Sequence, residues 1–579
     1  MRSPLEVLEQ LVSTAVVRAF GERFDAVDPA LRPSQFADAQ SNCALGLARD
    51  LRQSPRAIAI ELAAVLPEVG LHEIGSVEVS GPGYLNFTFA ESWIAEQLMQ
   101  LDADPRQGVP AVAPETIPID YSAPNVAKEM HVGHLRTTIV GDCLARVFQA
   151  VGHRVIRQNH IGDWGTPFGM LIEHLLDLGA SSEDAAVLRS DPNSFYRTAR
   201  AKFDADPVFA ERARRRVVRL QAHDPDTIDI WRSLVDHSKL YFNLVYERLG
   251  VTLTDADLAG ESTYNDDLAT ICDELEAAGL ATVSDGALCV FLPGRIGRDG
   301  QPSPLIIRKS DGGYGYATTD LATVRHRVGD LHADRLVYVI GTTQSQHLEM
   351  VWETARLAGW LPESVQTVHV RIGSVLGTNH KILKTRAGDS VRLLALLDEA
   401  VDQARSELVD RSELDTVNAE LIAEQVGIAA VKYADLSVAH DTDYVFDAQR
   451  MVATNGNTGP YLQYATTRIR SIFRSLEIEP SDWVPAAGVV VTNTAERELM
   501  LDLLKYGAIV ASVSTTYEPH ALCAHLFRIA QNYSRFYEAS PIVRAEPAIQ
   551  GSRLRIARAT LEVLGHGMGL LGIASPERM

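Results

Sequence analysis

The sequence lacks any long apolar run. None of its hydrophobic segments approaches the roughly 20 consecutive residues that a helix needs to span a bilayer. The first residues, MRSPLEVLEQLVSTAVVRAF, mix acidic with apolar side chains, which is typical of an amphipathic helix rather than a signal peptide. We therefore expect no membrane segment and no membrane partner.

Cysteine is scarce and scattered. The five cysteines lie far apart in the chain, and none forms a Cys-x-x-Cys pair. Disulfide frameworks and structural zinc sites use closely spaced cysteines, so neither is expected here. Isolated thiols of this kind are typical of a reducing compartment, and the sequence predicts a cytoplasmic protein.

Positive charge is also in short supply. The chain has 54 lysines and arginines against 75 aspartates and glutamates, a formal net charge of −21. This balance argues against general affinity for nucleic acid, but only weakly, because phosphate binding depends on local patches. The one dense basic run, ERARRRVVRL at residues 211–220, is expected to be a solvated helix face rather than an RNA groove.

Length and patterning divide the chain into three parts. At 579 residues it is too long for one core, because single cores stop growing at roughly 250–300 residues. Residues 1–110 mix helical and alternating strand-like segments and predict an α+β module, followed by a proline- and glycine-rich linker (102–115). Residues 111–395 alternate short apolar segments with helices, which indicates a Rossmann-like parallel α/β domain with a helical insertion at about 170–300. Within the insertion one short segment, ALCVFLP, is strand-like. Residues 396–579 carry only helical periodicity and predict an all-α bundle.

The stretch SAPNVAKEMHVGH (122–134) follows the first predicted strand of the α/β domain. A helix starting here places His131 and His134 one turn apart at its amino-terminal end, where free amide groups and the helix dipole favour anions. Gly133 between them leaves the backbone open to a flat ligand, and Lys128 supplies a mobile cation for phosphate. No third ligand follows at a metal-binding spacing, so no protein-held metal is expected.

A second cationic motif, KILKTRAGD (381–389), lies far downstream, after the last strand-like segments of the α/β domain. It places Lys381, Lys384 and Arg386 on a glycine-containing loop that is suited to closing over a polyphosphate. Taken alone, each motif has an ordinary explanation, a pair of unremarkable histidines or a solvated basic loop. HxGH after the first strand together with KxxK after the last is far more specific than either motif alone.

The two motifs resemble the HIGH and KMSKS signatures of class I aminoacyl-tRNA synthetases. The surrounding segments are more particular and resemble the arginyl-tRNA synthetase family: DYSAPNVAKEMHVGHLR, NHIGDWGTPFGMLI, DGGYGYATTDLA, LKTRAGD, NTGPYLQYA and the terminal ERM. The likeness covers essentially the whole chain. It implies an arginine–tRNA ligase that uses ATP, accompanied by Mg²⁺, to join L-arginine to tRNA(Arg) through arginyl-adenylate. In this family the activation of arginine is expected to require bound tRNA.

The resemblance also assigns catalytic and substrate-binding residues. The candidates for stabilising charge on the ATP phosphates are Lys128, His131, His134, Lys381 and Lys384, with Gly133 in the same ATP site. KILK stands in place of KMSK but keeps both lysines, so catalytic competence is expected to be intact. The candidates for binding arginine are Tyr316 and Asp320 at the side chain, Asp120 as a second acid, and Asn125 and Gln344 at the amino-acid end. A carboxylate suits this role because it matches the planar guanidinium with two charge-assisted hydrogen bonds.

On the tRNA side the resemblance implies contacts in two separate modules. The candidates are Tyr84 and Asn86 in GYLNF for the D-loop, and Tyr461, Tyr464 and Met579 for the anticodon loop. Stacking and base-edge hydrogen bonds of this kind are how single-stranded RNA is read. The DALR signature of the family's helical domain reads HALC here, at 520–523, which weakens that motif.

Two alternatives remain open from the sequence. One is a specialised synthetase paralogue, for example one serving resistance or biosynthesis, which would share nearly all of these motifs. The other is a catalytically silent paralogue kept as an RNA-binding protein, although such a protein has no need for both histidines, the lysines and Asp320. A monomer is expected in each case.

Overall fold

The amino-terminal part of the chain is an α+β module. The computed structural model describes residues 2–179, 192–297, 300–383, 391–409, 416–483 and 488–579. The module comprises α1 (Pro4–Phe20), β1 (Leu31–Arg32), β2 (Ala39–Ser41), α2 (Cys43–Leu51), α3 (Pro55–Val65), α4 (Leu71–Ile74), β3 (Gly75–Ser80), β4 (Tyr84–Phe89) and α5 (Glu91–Ala103). Its strands form an antiparallel sheet in the order β1-β2-β4-β3. The chain enters α1 through a capping box, in which Ser3 and Glu6 exchange side-chain to backbone hydrogen bonds.

The segment that follows α5 is held in place by hydrogen bonds and close backbone packing. The guanidinium of Arg106 donates hydrogen bonds to the carbonyl oxygens of Pro110 at 3.0 Å and Ala150 at 2.7 Å. Gly507, from the carboxyl-terminal helices, approaches the backbone of Gly108 so closely that a Cβ on Gly507 would lie 1.9 Å from the Gly108 carbonyl oxygen. The predicted linker therefore contacts both of the parts that follow it.

The middle of the chain is built on a parallel sheet. In chain order its elements are β5 (Thr116–Asp120), α6 (Val132–Val151), β6 (Arg154–Gln158), α7 (Thr166–Leu178), α8 (Pro192–Ala205), α9 (Pro207–Gln221), α10 (Pro225–Leu249), α11 (Leu268–Ala277), β7 (Ala281–Ser284), β8 (Ala287–Ile296), β9 (Pro302–Arg308), α12 (Tyr316–Gly329), β10 (Arg335–Gly341), α13 (Ser345–Leu357) and β11 (Gln366–Ile372). The strand order is β11-β10-β5-β6, and every pair is parallel, which confirms the predicted Rossmann-like sheet. Asp120 pairs with Tyr338, so β5 and β10 end at the same edge of the sheet.

Between β6 and β10 the chain leaves the parallel sheet. It forms the helices α7 to α11 and then a three-stranded antiparallel sheet in the order β7-β8-β9. The sequence predicted the helices but only one strand-like piece, ALCVFLP, which lies in β8. This sheet has a hydrophobic core of its own, which includes buried Leu275, Leu305 and Leu321. That core places α12 and α13 against the insertion.

The basic run at residues 211–220 lies in α9, and its arginines are paired with acids. Arg212 and Arg216 both bind Glu173 of α7, at 3.1 and 2.7 Å. Arg219 binds Asp224 at 2.8 Å. The run is an internally neutralised, largely solvated helix face, in agreement with the prediction.

The carboxyl-terminal part is helical. Its elements are β12 (Val375–Leu376), α14 (Leu393–Val409), α15 (Thr416–Leu436), β13 (Tyr444–Val445), α16 (Ala448–Met451), α17 (Gly459–Ser475), α18 (Thr494–Leu503), α19 (Tyr506–Thr516), α20 (Pro519–Ala539) and α21 (Pro547–Leu570). In α20 the buried residues Leu522, Leu526, Ile529 and Tyr533 recur every three or four positions, which places them on one face. The predicted helical bundle is confirmed. Within the described ranges, no helix is both long and apolar enough to cross a membrane.

Buried charges hold α6 against the bundle. Arg136 pairs with Asp435 of α15 at 3.2 Å, with side chains 1% and 0% exposed, and donates to the carbonyl oxygen of Thr442 at 2.7 Å. Lys432 is also buried and donates to the carbonyl oxygen of Leu249 at 2.6 Å. Breaking a buried pair of this kind strands a charge at a cost of several kcal/mol, roughly 3–5. The helix that carries HxGH is therefore firmly joined to the bundle.

Candidate active site

The connection from β5 to α6 is tightly turned. Ser122, Ala123 and Ala127 have left-handed φ values of 72°, 45° and 58°, which is unusual for residues other than glycine. Their backbone is held from outside the connection: Asn159 accepts the Ala123 N–H at 3.1 Å, and Ser238 accepts the Ala127 N–H at 2.9 Å. Strain of this kind persists where the surroundings enforce it, and it is concentrated at functional sites.

The two histidines of HxGH cap the amino-terminal end of α6. Nδ1 of His131 accepts the N–H of Gly133 at 3.0 Å, and Nδ1 of His134 accepts the N–H of His131 at 3.1 Å. Because each Nδ1 acts as an acceptor, each neutral ring carries its proton on Nε2. The ring centroids are 4.0 Å apart. The motif thus presents two N–H donors at the positive end of the helix dipole.

Both imidazoles are held in the neutral form. Burial, followed by the charge of Lys128, lowers the pKa of His131. Burial, followed by the charge of His131, lowers the pKa of His134 to about 3. At neutral pH these histidines act as hydrogen-bond donors rather than as cations, and Lys128 is the charged group beside them.

Gly133 permits the close packing of this cap. A Cβ on Gly133 would lie 2.7 Å from Cε1 of the His131 ring, which is closer than carbon atoms can approach. Any side chain here would push the ring away from the helix start. The glycine that the sequence assigned to the ATP site is thus required by the histidine beside it.

The three candidate lysines differ in how far the structure describes them. The ammonium of Lys128 lies 3.9 Å from the ring centroid of Tyr196, a cation–π contact. Lys381 is exposed, and its carbonyl oxygen accepts the N–H of Gly377 at 2.9 Å. Lys384 and Arg386 lie outside the described residues.

The segment that follows the KILKTRAGD motif returns to HxGH. The carbonyl oxygen of Val391 accepts the N–H of Val132, and the N–H of Leu393 donates to the carbonyl oxygen of Met130, both at 3.0 Å. The described chain on the carboxyl-terminal side of this motif therefore contacts the start of α6.

Two adjoining cavities lie beside the connection from β5 to α6. One, of about 340 Å³, is lined by Asn125 and Lys128 among others. The other, of about 410 Å³, is lined by all the remaining arginine-binding candidates: Asp120, Tyr316, Asp320 and Gln344. Glu261 and Tyr316 line both cavities. The structure therefore brings together the five residues that the sequence assigned to arginine binding.

Asp320 lies one turn after the start of α12 and faces two histidines. Its Oδ2 accepts a hydrogen bond from Nε2 of His347 at 2.6 Å, and its Oδ1 lies 3.9 Å from Nε2 of His160. The ring of Tyr316 contacts the ring of His347 edge to face, with centroids 4.8 Å apart. A negatively charged carboxylate therefore lies on the wall of the cavity.

Asp120 is less available than Asp320. Its Oδ2 accepts a hydrogen bond at 2.7 Å from Arg327, whose side chain is 0% exposed and stacks on Tyr338 at 5.0 Å. Its Oδ1 is buried without a hydrogen-bond partner among the described residues. Arg327 thus balances the negative charge of Asp120, and only Oδ1 of this carboxylate can accept a further bond from a ligand without competing with Arg327.

Reasoning from the sequence missed Glu261, which lies where the two cavities meet. Burial, with the charges of Asp163 and Asp320, raises the pKa of Glu261 to about 8. A carboxyl group that stays protonated beside other acids can ionise when a cation binds. Its position therefore indicates a cation-binding site. No pattern around Glu261 signals this. By contrast, His160 lies inside NHIGDWGTPFGMLI, a segment that the sequence analysis singled out.

The candidate tRNA residues lie in the outer modules. Tyr84 and Asn86 are half-buried on β4, where Nδ2 of Asn86 donates to Ser80 at 2.8 Å. Tyr464 is exposed on α17, whereas Tyr461 contacts the ring of Phe527 at 5.4 Å. Met579 packs against the bundle core.

Three family models match successive parts of the chain. They are the arginyl-tRNA synthetase N-terminal domain (residues 6–89), the catalytic domain of class I tRNA synthetases (R) (97–448) and the DALR anticodon binding domain (462–579). The chain belongs to the arginyl-tRNA synthetase family. The DALR match spans the stretch that reads HALC, so the family's helical domain is present despite that departure.

Members of the arginyl-tRNA synthetase family resemble this chain from end to end. The arginine–tRNA ligase of Thermobifida fusca is 58% identical, with full coverage of both chains. That of Frankia casuarinae is 49% identical and covers 100% of this chain and 99% of its own. Among solved structures, the arginyl-tRNA synthetase of Plasmodium falciparum matches with a TM-score of 0.83 at 26% identity, again over all of both chains.

Proposed function

We propose that this chain is an arginine–tRNA ligase that converts ATP, L-arginine and tRNA(Arg) into L-arginyl-tRNA(Arg), AMP and diphosphate through arginyl-adenylate. The observation that carries the proposal is that groups suited to binding phosphate lie close to groups suited to binding a guanidinium. The neutral donors at the start of α6 and the nearby Lys128 suit a polyphosphate, and Lys128 lines a cavity that adjoins the acidic cavity suited to a guanidinium. Neither a silent RNA-binding paralogue nor a specialised one is needed to account for this arrangement.

In the proposed reaction the arginine carboxylate attacks the α-phosphorus of ATP and displaces diphosphate, which gives arginyl-adenylate. The terminal ribose hydroxyl of the tRNA then attacks the carbonyl carbon of the adenylate and releases AMP, so no side chain acts as nucleophile. The Nε2–H groups of His131 and His134 donate to the phosphate oxygens as charge builds up in the transition state. Lys128, Lys381 and Lys384 supply positive charge, and Gly133 lets the His131 ring lie against the start of the helix in the ATP site. Fixed donors of this kind act without reorganising, which is why they favour the transition state over the ground state.

We propose that Mg²⁺ enters with ATP rather than occupying a protein cage. The carboxylate nearest to HxGH in sequence, Glu129, is engaged by Arg392 at 2.8 Å and Asn193 at 2.7 Å. A metal at this place would therefore be held mainly by phosphate oxygens and water, as Mg²⁺ prefers in nucleotide sites. When bound, it would neutralise phosphate charge.

The proposed arginine site uses Asp320 and Glu261 for the guanidinium, with Tyr316 against its plane. Two carboxyl groups suit a planar cation with five N–H donors. Asn125 and Gln344 are placed at the amino-acid end, together with the oxygen of Asp120 that Arg327 leaves free. The expected outcome is strong selectivity for arginine over amino acids with neutral side chains.

For tRNA we propose that residues 1–110 bind the D-loop through Tyr84 and Asn86. Residues 396–579 would bind the anticodon loop through Tyr461, Tyr464 and Met579, while residues 111–395 carry out catalysis. The buried pairing of Arg136 with Asp435 gives the bundle a direct mechanical connection to the HxGH helix. That connection supports the proposal that arginine activation requires bound tRNA. We further propose a monomer that works in the cytoplasm.

The deciding experiment is ATP–pyrophosphate exchange across the standard amino acids, with and without tRNA(Arg). Exchange with arginine only when tRNA is present would support both the activity and its dependence on tRNA. Exchange with arginine alone would keep the activity and remove the dependence. No exchange with any amino acid would favour the silent RNA-binding alternative.

A further inference from the structure

We infer that Arg136 is a positioning residue that holds the short strand leading into the KILK motif in register with the HxGH histidines. The inference rests on the proposed function, because it matters for catalysis only if both motifs act on the phosphates of ATP. It deepens that function by assigning a role to a buried side chain that lines neither of the two cavities. The connection runs from Arg136 through residues 439–446 and β12 to Lys381.

The guanidinium of Arg136 binds three acceptors on the far side of α6 from HxGH. Its Nε donates to Oδ1 of Asp435 at 3.2 Å, and its terminal nitrogens donate to the carbonyl oxygens of Thr442 at 2.7 Å and Ala439 at 3.4 Å. Its Cζ also lies 5.1 Å from the ring centroid of Tyr444. Because a guanidinium presents its donors in a rigid planar fork, these contacts fix the position of residues 439–444 relative to α6.

Residues 439–446 are in turn bonded to the chain that follows β11. The N–H of Gly373 donates to the carbonyl oxygen of His440 at 2.8 Å, and the N–H of Ser374 donates to Oδ1 of Asp443 at 2.6 Å. Directly after these contacts, β12 and β13 pair in parallel. The segment that Arg136 holds therefore sets the position of β12.

β12 also pairs with the first residues of the KILK motif. The N–H of Leu383 donates to the carbonyl oxygen of Val375 at 3.1 Å, and the N–H of Gly377 donates to the carbonyl oxygen of Lys381 at 2.9 Å. The two stretches form an antiparallel bridge between these hydrogen bonds. The backbone of Lys381 is thus placed by β12, and β12 is placed by the segment that Arg136 holds.

A guanidinium is required at this position for its geometry rather than for stability. Desolvation offsets most of the attraction within a buried ion pair, and apolar side chains of similar volume often replace such a pair without loss of stability. An apolar pair could join α6 to α15 equally well. It could not bind the carbonyl oxygens of Thr442 and Ala439, and these contacts are the ones that lead to β12 and Lys381.

The first test replaces Arg136 with lysine. Lysine keeps the positive charge beside Asp435, but its single ammonium cannot serve three separate acceptors. In ATP–pyrophosphate exchange with tRNA(Arg) present, kcat should fall about tenfold to 100-fold, because small displacements of catalytic groups have effects of this size. The KM for arginine should stay close to that of the wild type, since Asp320 and Glu261 lie on other elements.

A matched control lies in the carboxyl-terminal bundle. Arg553 of α21 pairs with Glu496 at 2.8 Å, with side chains 12% and 0% exposed, and donates to the carbonyl oxygen of Pro541 at 2.7 Å. It therefore also joins a buried carboxylate to a backbone carbonyl, but away from both motifs. Arg553→Lys should lower stability in urea, as Arg136→Lys does, and leave kcat unchanged.

A second pair of variants tests the same connection without touching a buried charge. Asp443 is exposed, and its Oδ1 accepts the N–H of Ser374. Asp443→Ala removes this acceptor, whereas Asp443→Asn keeps an oxygen in its place. We expect kcat to fall severalfold in Asp443→Ala and to be restored in Asp443→Asn, with the arginine KM unchanged in both. Because the residue is exposed, neither variant disturbs the core.

Hydrogen–deuterium exchange tests the connection independently of activity. The amides of residues 375–383 should exchange faster in Arg136→Lys and in Asp443→Ala than in the wild type. In Arg553→Lys and Asp443→Asn they should exchange at the rate of the wild type. Unchanged exchange of these amides in both Arg136→Lys and Asp443→Ala would mean that β12 is placed by other contacts, which would overturn the inference.

The kinetic outcomes separate this inference from the proposed function. A wild-type protein that shows no arginine-dependent exchange of pyrophosphate even with tRNA(Arg) would overturn the proposed function. An active wild type whose Arg136→Lys and Asp443→Ala variants keep the wild-type kcat would overturn the positioning role alone. Equal losses of kcat in Arg136→Lys and Arg553→Lys would also overturn that role, because reduced stability would then explain both.

Discussion

Arg327 donates a hydrogen bond to Asp120 at 2.7 Å beside the cavity in which we place substrate arginine. The guanidinium of Arg327 thus lies next to the site that we assign to the guanidinium of the substrate. This pairing cancels the charge of Asp120 and leaves Asp320 and Glu261 as the acids available to the guanidinium of a ligand. The ion pair between Arg327 and Asp120 therefore contributes both to the stability of the protein and to the selectivity of the cavity.

Replacing Arg327 with methionine should destabilise the protein. The substitution leaves Asp120 as a buried carboxyl without a partner, and losses of this kind are about 3 kcal/mol or more. Urea denaturation of Arg327→Met against the wild type measures the effect. The double variant Arg327→Met with Asp120→Leu should recover much of the loss, and equal stability of the two variants would contradict the role of the pair.

Replacing Asp320 with asparagine should affect arginine far more than ATP. The amide keeps the shape of the side chain but removes the charge that faces the guanidinium. We expect kcat/KM for arginine to fall about 100-fold or more. Pyrophosphate exchange at varied arginine and varied ATP separates the two effects. A similar increase in both KM values would mean that Asp320 has a structural role only.

Binding of arginine should release a proton from Glu261. Burial and the charges of Asp163 and Asp320 raise its pKa to about 8, so the group is mostly protonated at neutral pH. A guanidinium favours the ionised form and lowers that pKa. Affinity should therefore rise as the pH increases towards about 8, with release of about one proton at lower pH.

Calorimetry in two buffers of different ionisation enthalpy measures this release. Glu261→Gln cannot ionise, and in this variant the proton release should disappear along with the pH dependence of arginine affinity. Wild-type protein that binds arginine without releasing a proton at neutral pH would remove Glu261 from the guanidinium site.

His134 should make the protein less stable in acid. Its folded pKa is about 3, below the unfolded value of about 6.5. Protonation therefore favours the unfolded chain, and stability that is present above about pH 6.5 is lost as the pH falls towards 3.

The variant His134→Asn isolates this contribution. The asparagine oxygen can still accept the N–H of His131, but the side chain does not titrate. The unfolding free energy of the wild type relative to this variant should fall by about 2 kcal/mol between pH 7 and pH 5. Contributions from other buried histidines, such as His525, are common to both proteins and cancel. A constant difference would mean that His134 titrates normally.

The sequence predicted those parts of the site that depend on local chemistry. A helix start near His131 was expected from the motif, and His131 is the capping residue of α6. The cap requires residues only two or three positions apart, so it can be recognised without the fold. The parallel sheet and the helical bundle were likewise indicated by local periodicity.

Contacts between distant segments were not predictable in this way. Arg327 reaches Asp120 across 207 positions, and Glu261 reaches the pocket from the insertion. Neither residue lies in a pattern of its own, because a buried acid and a buried arginine each look like surface residues in a sequence. The antiparallel sheet β7-β8-β9 was missed for a related reason, since only its central strand is apolar enough to stand out.

The packing of the connecting segment around Arg106 and Gly108 affects how substrate tRNA is selected. Hydrogen bonds and close backbone packing keep the amino-terminal module at a constant distance from the start of α6. If that module binds the D-loop as we propose, the distance between the D-loop site and the catalytic site is fixed by the protein. We expect an RNA whose elbow is too short or too long to be rejected for its dimensions, before any base is read.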